Sequence, residues 1–292
     1  MSALPNELSM VEPKVVHNYY AEANVLNADL EQPLKDKIRP QAFVKLPKDG
    51  QYQFSQADPF RFEGILSYKS GYTQVAGHPS SKTAGFATLA TSVLEGLNVL
   101  DVVTADRVVA QISTVHPAYG TGQVPSVTFL GTRFDNLRID GHKVEVERDL
   151  DILGPKPDDD ESYFDNRDVL DRIARQYETI AASNNLPDWA TEQYPKGRAA
   201  LNGSGRLECS LINSVTGAPG IPFGHVIDLP HFGRIFLGEL KVLRTPGNPT
   251  KGIYDTYRFH LTMIRMQMGC LAQGSVQVGV VDSNGGGSDG GG

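Results

Sequence analysis

Apolar and polar residues alternate with a period of two over much of this chain, the signature of strands with one face buried. The pattern is clearest between Asp101 and Glu147. In DVVTADRVVAQIS, Val108, Ala110 and Ile112 share one parity, and Arg107, Gln111 and Ser113 share the other. The next run, SVTFLGTRFDNLRIDGHKVEVE, carries Asp140-Gly141, a pair that accepts positive φ at both centres of a type I′ turn. Counting outward from that turn, Ile139 faces His142, Leu137 faces Val144 and Arg138 faces Lys143. A slip of one residue would turn the charges into the core, so turn and pattern specify one register.

The rest of the chain reads as strands added to this hairpin. KVVHNYYAEANVLNADL forms a long first strand, with Val15, Tyr19, Ala21, Ala23 and Val25 on one parity. These five are the candidate interaction residues, because a strand near a chain end either closes its own sheet or pairs with the open edge of a neighbour. Asp58-Pro59 separates YQFSQA from FRFEGILSY. Residues 67–83 and 116–126 are rich in Gly, Ser, Pro and Tyr and are expected to be loops. GFATLATSVLEGLNVLDVV favours strand, turn, strand over helix. At Leu150 the period changes: Val169, Leu170, Ile173, Ala174, Tyr177, Ile180 and Ala181 recur at helical spacing, with Asp165 as N-cap. From Gly197 the strand pattern returns. The predicted fold is therefore mainly β: an antiparallel β-sandwich, with jelly-roll-like or Ig-like layers, over residues 14–283. A flexible lead over 1–13 precedes it, one α-helix is inserted at about 154–195, and a Gly-rich tail occupies 284–292.

Charge and cysteine content narrow the partners. A net charge of −7 disfavours nucleic acid and anionic membrane surfaces. No run approaches the ~18 apolar residues of a membrane span. The start MSALPNELSMVEPK has neither a basic nor an apolar leader region, so either the protein stays in the cytoplasm or the chain is a processed form. Cys209 and Cys270 lie in apolar strand-like runs, where a buried free thiol is favoured over a disulfide.

Little of the sequence points to chemistry. Neither a G-x-S-x-G elbow nor a phosphate-binding glycine loop is present, and the seven histidines match no zinc spacing. Asp158, Asp160 and Asp165 are the candidate ligands for Ca²⁺, the one cofactor to consider, but contiguous acids diverge, and a solvated linker explains them better. Glu239 reads as a solvent-facing strand carboxylate; turned inward it would need a cation such as Arg234 or Lys241. Tyr68, Tyr72 and Tyr119, in Gly-rich surroundings, are the candidate ligand residues that could stack on a glycan.

Three stretches together, GLNVLDVVTADRVVAQIS, VTFLGTRFDNLRIDGHKV and GHVIDLPHFGRIFLGEL with the last strand pair, resemble the choice-of-anchor P type of bacterial extracellular β-domain protein. The likeness covers about residues 86–146 and 224–281. It implies an extracellular or cell-surface β-sandwich with a non-catalytic role; the acidic linker and helix of 154–195 depart from that pattern. The expectation is a non-enzymatic structural or surface protein that self-assembles, as a homo-oligomer or filament, through strand edges and its N-terminal strand. The alternative is a carbohydrate-binding module or glycan-active enzyme using the tyrosine loops.

Overall fold

In the computed structural model of the chain, Asp140 and Gly141 take φ of 49° and 76°. Arg138 pairs with Lys143 and Ile139 with His142, and the Val144 amide donates to the Leu137 carbonyl at 2.9 Å. The hairpin thus has the predicted turn and register, and Val108, Ile112, Leu137 and Val144 are all buried. The structure describes residues 17–80, 85–117, 124–158, 161–184, 186–194, 201, 205–248, 255–269 and 272–284. Val15, Tyr119, Asp160, Cys270, the 1–13 lead and residues 285–292 of the tail lie outside them.

Among the described residues, with strands numbered in chain order, one antiparallel sheet, sheet A, has nine. Its path is β17 (Ile221–Phe223), β18 (Val226–Leu229), β19 (Gly233–Thr245), β20 (Thr256–Gly269), β21 (Gln273–Asn284), β1 (Ala21–Gln32) and β2 (Asp36–Gln41). Beside that path, β15 (Arg206–Ser210) joins β19 and β3 (Val44–Lys45) joins β1. Sheet B has ten strands centred on β8 (Gly85–Val99) and β9 (Val103–His116). On one side of β8 lie β7 (Ser70–Ser80) then β4 (Gln51–Ala57), and β6 (Leu66–Tyr68) then β5 (Phe60–Phe62). On β9 lie β10 (Ser126–Thr128), β11 (Arg133–Asp135) and β12 (Arg138–Ile139), the last followed by β13 (His142–Lys143). A small ribbon pairs β14 (Glu145–Arg148) with β16 (Ile212–Thr216).

The two large sheets pack face to face as a sandwich. β1 and β21 lie against β7, β8 and β9, and two polar contacts cross the core: Ser92 Oγ donates to the Asn24 carbonyl at 2.9 Å, and the Thr114 and Ser283 hydroxyls meet at 2.9 Å. Buried Val75, Ala90, Leu94, Val108 and Ile112 supply sheet B's share of the apolar interior. Dispersion and water exclusion there are the main stabilising terms of such a fold.

Several local expectations change. Residues 70–80 form a strand, not a loop. A Cβ on Gly77 would lie 2.7 Å from the Tyr19 ring, and one on Gly71 3.1 Å from Val25, so these glycines permit close approach instead of turning the chain. Residues 85–99 are one strand through Gly96, whose φ of +65° is absorbed without a break. The insertion holds two helices, α1 (Arg167–Ala181) and α2 (Asp188–Gln193), where one was expected. Asn166, not Asp165, caps α1, its side chain accepting from the Val169 amide at 3.0 Å.

The insertion docks on sheet A. The buried stripe of α1 includes the predicted Val169, Leu170, Ile173, Ala174, Tyr177 and Ile180. Gln176 pins it to β15, donating to the Ser210 carbonyl at 3.0 Å and accepting from the Ser210 amide at 2.8 Å. Tyr163 sets its ring edge-on to Tyr257 and Phe259, and Trp189 packs on Phe223 and Phe236.

Candidate functional site

Sheet B keeps an open outward face. On β4 the even positions Tyr52, Phe54 and Gln56 point away from the core, and across from them β7 presents Ala76, Gln74 and Tyr72. Tyr52, Phe54 and Tyr72 are 57%, 51% and 38% exposed. The Phe54 and Tyr72 rings stack with centroids 5.9 Å apart and planes at 28°. Beside them a polar chain crosses three strands: Ser70 Oγ donates to Glu95 at 3.0 Å, and Arg107 donates twice to the same carboxylate, at 3.0 and 2.5 Å. The two hydrogen bonds from Arg107 and Ser70 hold the Glu95 carboxyl below the usual carboxylate range.

Strand β4 is also an edge. Its seven residues, QYQFSQA, carry neither charge nor proline, and among the described residues the strand pairs only with β7. The ends of both sheet paths look different. β2 reads DKIRPQ, with three charges and Pro40; β17 has three residues including Pro222; β13 is His142–Lys143; β5 has Arg61 at its centre. Charges, prolines and short length are the means by which edges avoid pairing with other chains, and β4 has none of them.

The strongest electrostatic perturbation lies on sheet A, beneath the insertion. Glu239 is buried and accepts both arms of Arg265, at 2.6 and 2.7 Å. That guanidinium also lies 3.7 Å from the Phe236 ring centroid. Next to it Tyr194 Oη meets His225 Nε2 at 3.1 Å, while His225 Nδ1 is buried with no hydrogen-bond partner among the described residues. Burial pushes the imidazole down to about 4, against the pull of Glu239 and with the push of Arg265. Burial raises the Tyr194 phenol and the Cys209 thiol well above their usual values, so Cys209 is an inert neutral thiol. The adjoining void of about 10 Å³, lined by Gln193, Glu208 and Lys241 among others, has room for about one water. A larger open cleft of about 430 Å³ lies between α1 and the β14–β16 ribbon, with Glu147 and Asp149 alongside Arg172 and Arg175.

The predicted site residues scatter. Tyr19, Ala21, Ala23 and Val25 are buried, and β1 is paired with β21 on one side and with β2 and β3 on the other, so the first strand closes its own sheet and offers no edge to a partner. Tyr68 is buried against Phe60, which removes it as a ligand contact. Tyr72 is exposed, but on a strand face instead of a loop. Asp165 is taken up by Ser162 Oγ at 2.6 Å and by Arg244 at 3.2 Å, and the Asp158 carbonyl accepts from the Glu161 amide. Among the described residues no group of three or more acids, histidines or cysteines could hold a metal ion. Glu239 faces inward, not to solvent, and its partner is Arg265 instead of Arg234 or Lys241. Cys209 is free. No helix among the described residues is long and apolar enough to cross a membrane.

Sequence reasoning passed over Tyr52 and Phe54. The available signal was their shared parity in a strand whose other positions are Gln, Ser and Ala. A family model described as Domain of unknown function (DUF8256) matches residues 17–243, well over half of the chain. No curated protein and no solved structure matches it.

Proposed function

Because the chain belongs to the DUF8256 family, whose function is unassigned, its role has to be read from its own surfaces, and we propose that it is a non-enzymatic structural subunit whose copies join edge to edge through β4. The observation that carries this reading is the contrast between β4, seven uncharged residues without proline, and the charged, short or proline-bearing strands at the ends of both sheet paths. Two antiparallel β4 strands about a two-fold axis would extend sheet B across both copies with a closed, isologous contact. Each unpaired backbone group of one edge would meet its complement on the other. The extracellular or surface location implied by the choice-of-anchor P resemblance belongs to the same proposal, and fractionating the source cells tests it.

Sedimentation equilibrium on the full chain tests the joint. A concentration-dependent dimer is expected. The double variant Tyr52→Lys, Gln56→Lys, on the outward face, sets like charges opposite one another in a joint centred on Phe54, and should sediment as a monomer with an unchanged circular dichroism spectrum. A wild-type chain that stays monomeric at every concentration would overturn the reading, as would a dimer indifferent to the two lysines.

A further inference from the structure

We propose that the outward face of sheet B is a binding site for a linear, uncharged polysaccharide. Five strands, β4, β7, β8, β9 and β11, lie side by side there. At about 4.8 Å between neighbours they make a platform roughly 19 Å across. Register rows fix which residues share that face; Thr91, Val93 and Val109 in its β8–β9 middle are buried, and the exposed rings stand at the β4–β7 end. One row runs from Gln56 through Tyr72, Val93 and Val109 to Arg133. The next runs from Phe54 through Gln74 and Thr91 to Gln111.

A pyranose ring has an apolar C–H face and a rim of hydroxyls that both donate and accept. Tyr52, Phe54 and Tyr72 supply exposed ring faces; the first two stand two residues apart on one strand, about 7 Å. Beside them lie the amides Gln56 and Gln74, which can also do both. Uncovered aromatics in such number on one face mark an interaction surface.

Charge selects the class of glycan. The charged groups nearest the rings, Glu95 and Arg107, neutralise each other in a pair joined by two hydrogen bonds. Among the described residues no lone cation is left beside the rings for a carboxylate or sulfate, and the chain's net charge of −7 repels polyanions. The complementary ligand is therefore neutral. This site does not depend on β4 joining β4, since Tyr72 sits on β7, one strand in from the edge.

Native affinity electrophoresis of the full chain through gels containing hydroxyethylcellulose, xylan or galactomannan tests the site, with alginate as the anionic counterpart. Retardation is expected with at least one neutral polysaccharide and not with alginate. Tyr72→Ala should raise the apparent Kd at least tenfold while leaving the sedimentation behaviour of the chain as it was. Phe54→Ser should also weaken retardation at least tenfold. Retardation by none of the neutral gels, retardation by alginate alone, or retardation indifferent to both variants would each overturn the proposal. So would a Tyr72→Ala chain that loses self-association and keeps its retardation, because the face would then be covered by a second copy.

Discussion

Two arginine–glutamate pairs, each joined by two hydrogen bonds, bridge strands in this molecule, one in each sheet, and their surroundings separate them. In sheet B, Arg107 and Glu95 stand opposite each other with side chains 44% and 37% exposed. In sheet A, Arg265 and Glu239 are 16% and 10% exposed, under the insertion and beside Tyr194 and His225. The same chemistry has two consequences. Where water reaches the pair, either partner can leave and the other is solvated. Where the insertion excludes water, a widowed charge has nowhere to go. The insertion therefore separates a covered sheet, whose buried charges pair with each other, from an open one that presents polar and aromatic groups outward, and the proposed functions fall on the open one.

The largest effect expected from this contrast is on stability. Arg265→Met strands the Glu239 carboxylate and should cost about 3–5 kcal/mol, a fall in Tm on the order of 10 °C. Arg107→Met leaves Glu95 in solvent and should not move Tm measurably. Calorimetry on both variants settles the contrast, and comparable losses would break it. The double variant Glu239→Leu, Arg265→Met should recover most of the stability, because a packed apolar pair substitutes for a buried ionic one.

A second contrast uses a glycine from each sheet. Gly238 in β19 and Gly96 in β8 have φ of +64° and +65°, so alanine meets about the same backbone cost at either, roughly 1 kcal/mol. Space separates them. A Cβ on Gly238 would lie 2.9 Å from Ile212 Cγ1 and 3.4 Å from Ser210 Oγ, both buried. On Gly96 it would meet the Lys69 side chain, nearest at its Cγ, 2.5 Å away, and that side chain is exposed and can swing aside. Gly238→Ala should thus add an overpacking cost of about 1–3 kcal/mol that Gly96→Ala avoids. Urea unfolding with equal midpoint shifts for the two would show that sheet A's interior is looser than its burial implies.

Much of the sandwich was legible because alternation is a local signal. The Asp140-Gly141 turn set its own register, and the stripe of α1 announced itself at helical spacing. What failed depended on distance along the chain. Gly71 and Gly77 look like loop formers until Val25 and the Tyr19 ring, from elsewhere in the chain, are seen against them. Glu239 follows Gly238, where the buried parity changes from Ile235 and Leu237 to Leu240 and Val242, so alternation could not say which way it pointed. Its partner, Arg265, lies on β20, where the register that brings them together pairs Glu239 with Thr262 and Phe236 with Arg265. Tyr72 was found by residue type, whereas Tyr52 and Phe54 needed knowledge of which face of β4 the core would take.

The last expected effect is a dependence on pH that compares a histidine under the insertion with one packed against sheet B. His225 lies under the insertion, facing Tyr194, Glu239 and Arg265; His17 stacks flat on Phe86 of β8 at 4.2 Å and faces Tyr19 and His116. Both imidazoles are lowered to about 4, chiefly by burial, with His116 adding to the effect at His17. Above the ordinary histidine value of about 6.5, neither state of the chain holds these protons and neither group affects stability. As pH falls through 6.5 the unfolded chain takes them up first, so stability is lost progressively until about 4, where the folded imidazoles also protonate. Between pH 7 and pH 5 the loss should be roughly 2 kcal/mol for each histidine. His225→Gln keeps a partner for the Tyr194 hydroxyl while abolishing the titration, and it should remove about half of the fall in Tm over that window; His17→Gln should remove a similar share. The buried Asp282 carboxyl acts in a lower window. Burial raises it, but hydrogen bonds from His260 and Arg258 outweigh that and hold it below the usual carboxylate range, so its contribution is lost only as pH falls further. A Tm profile between pH 7 and 5 that both single variants leave unchanged would mean that water reaches these imidazoles, and the contrast between a covered sheet and an open one would then fail at His225 first.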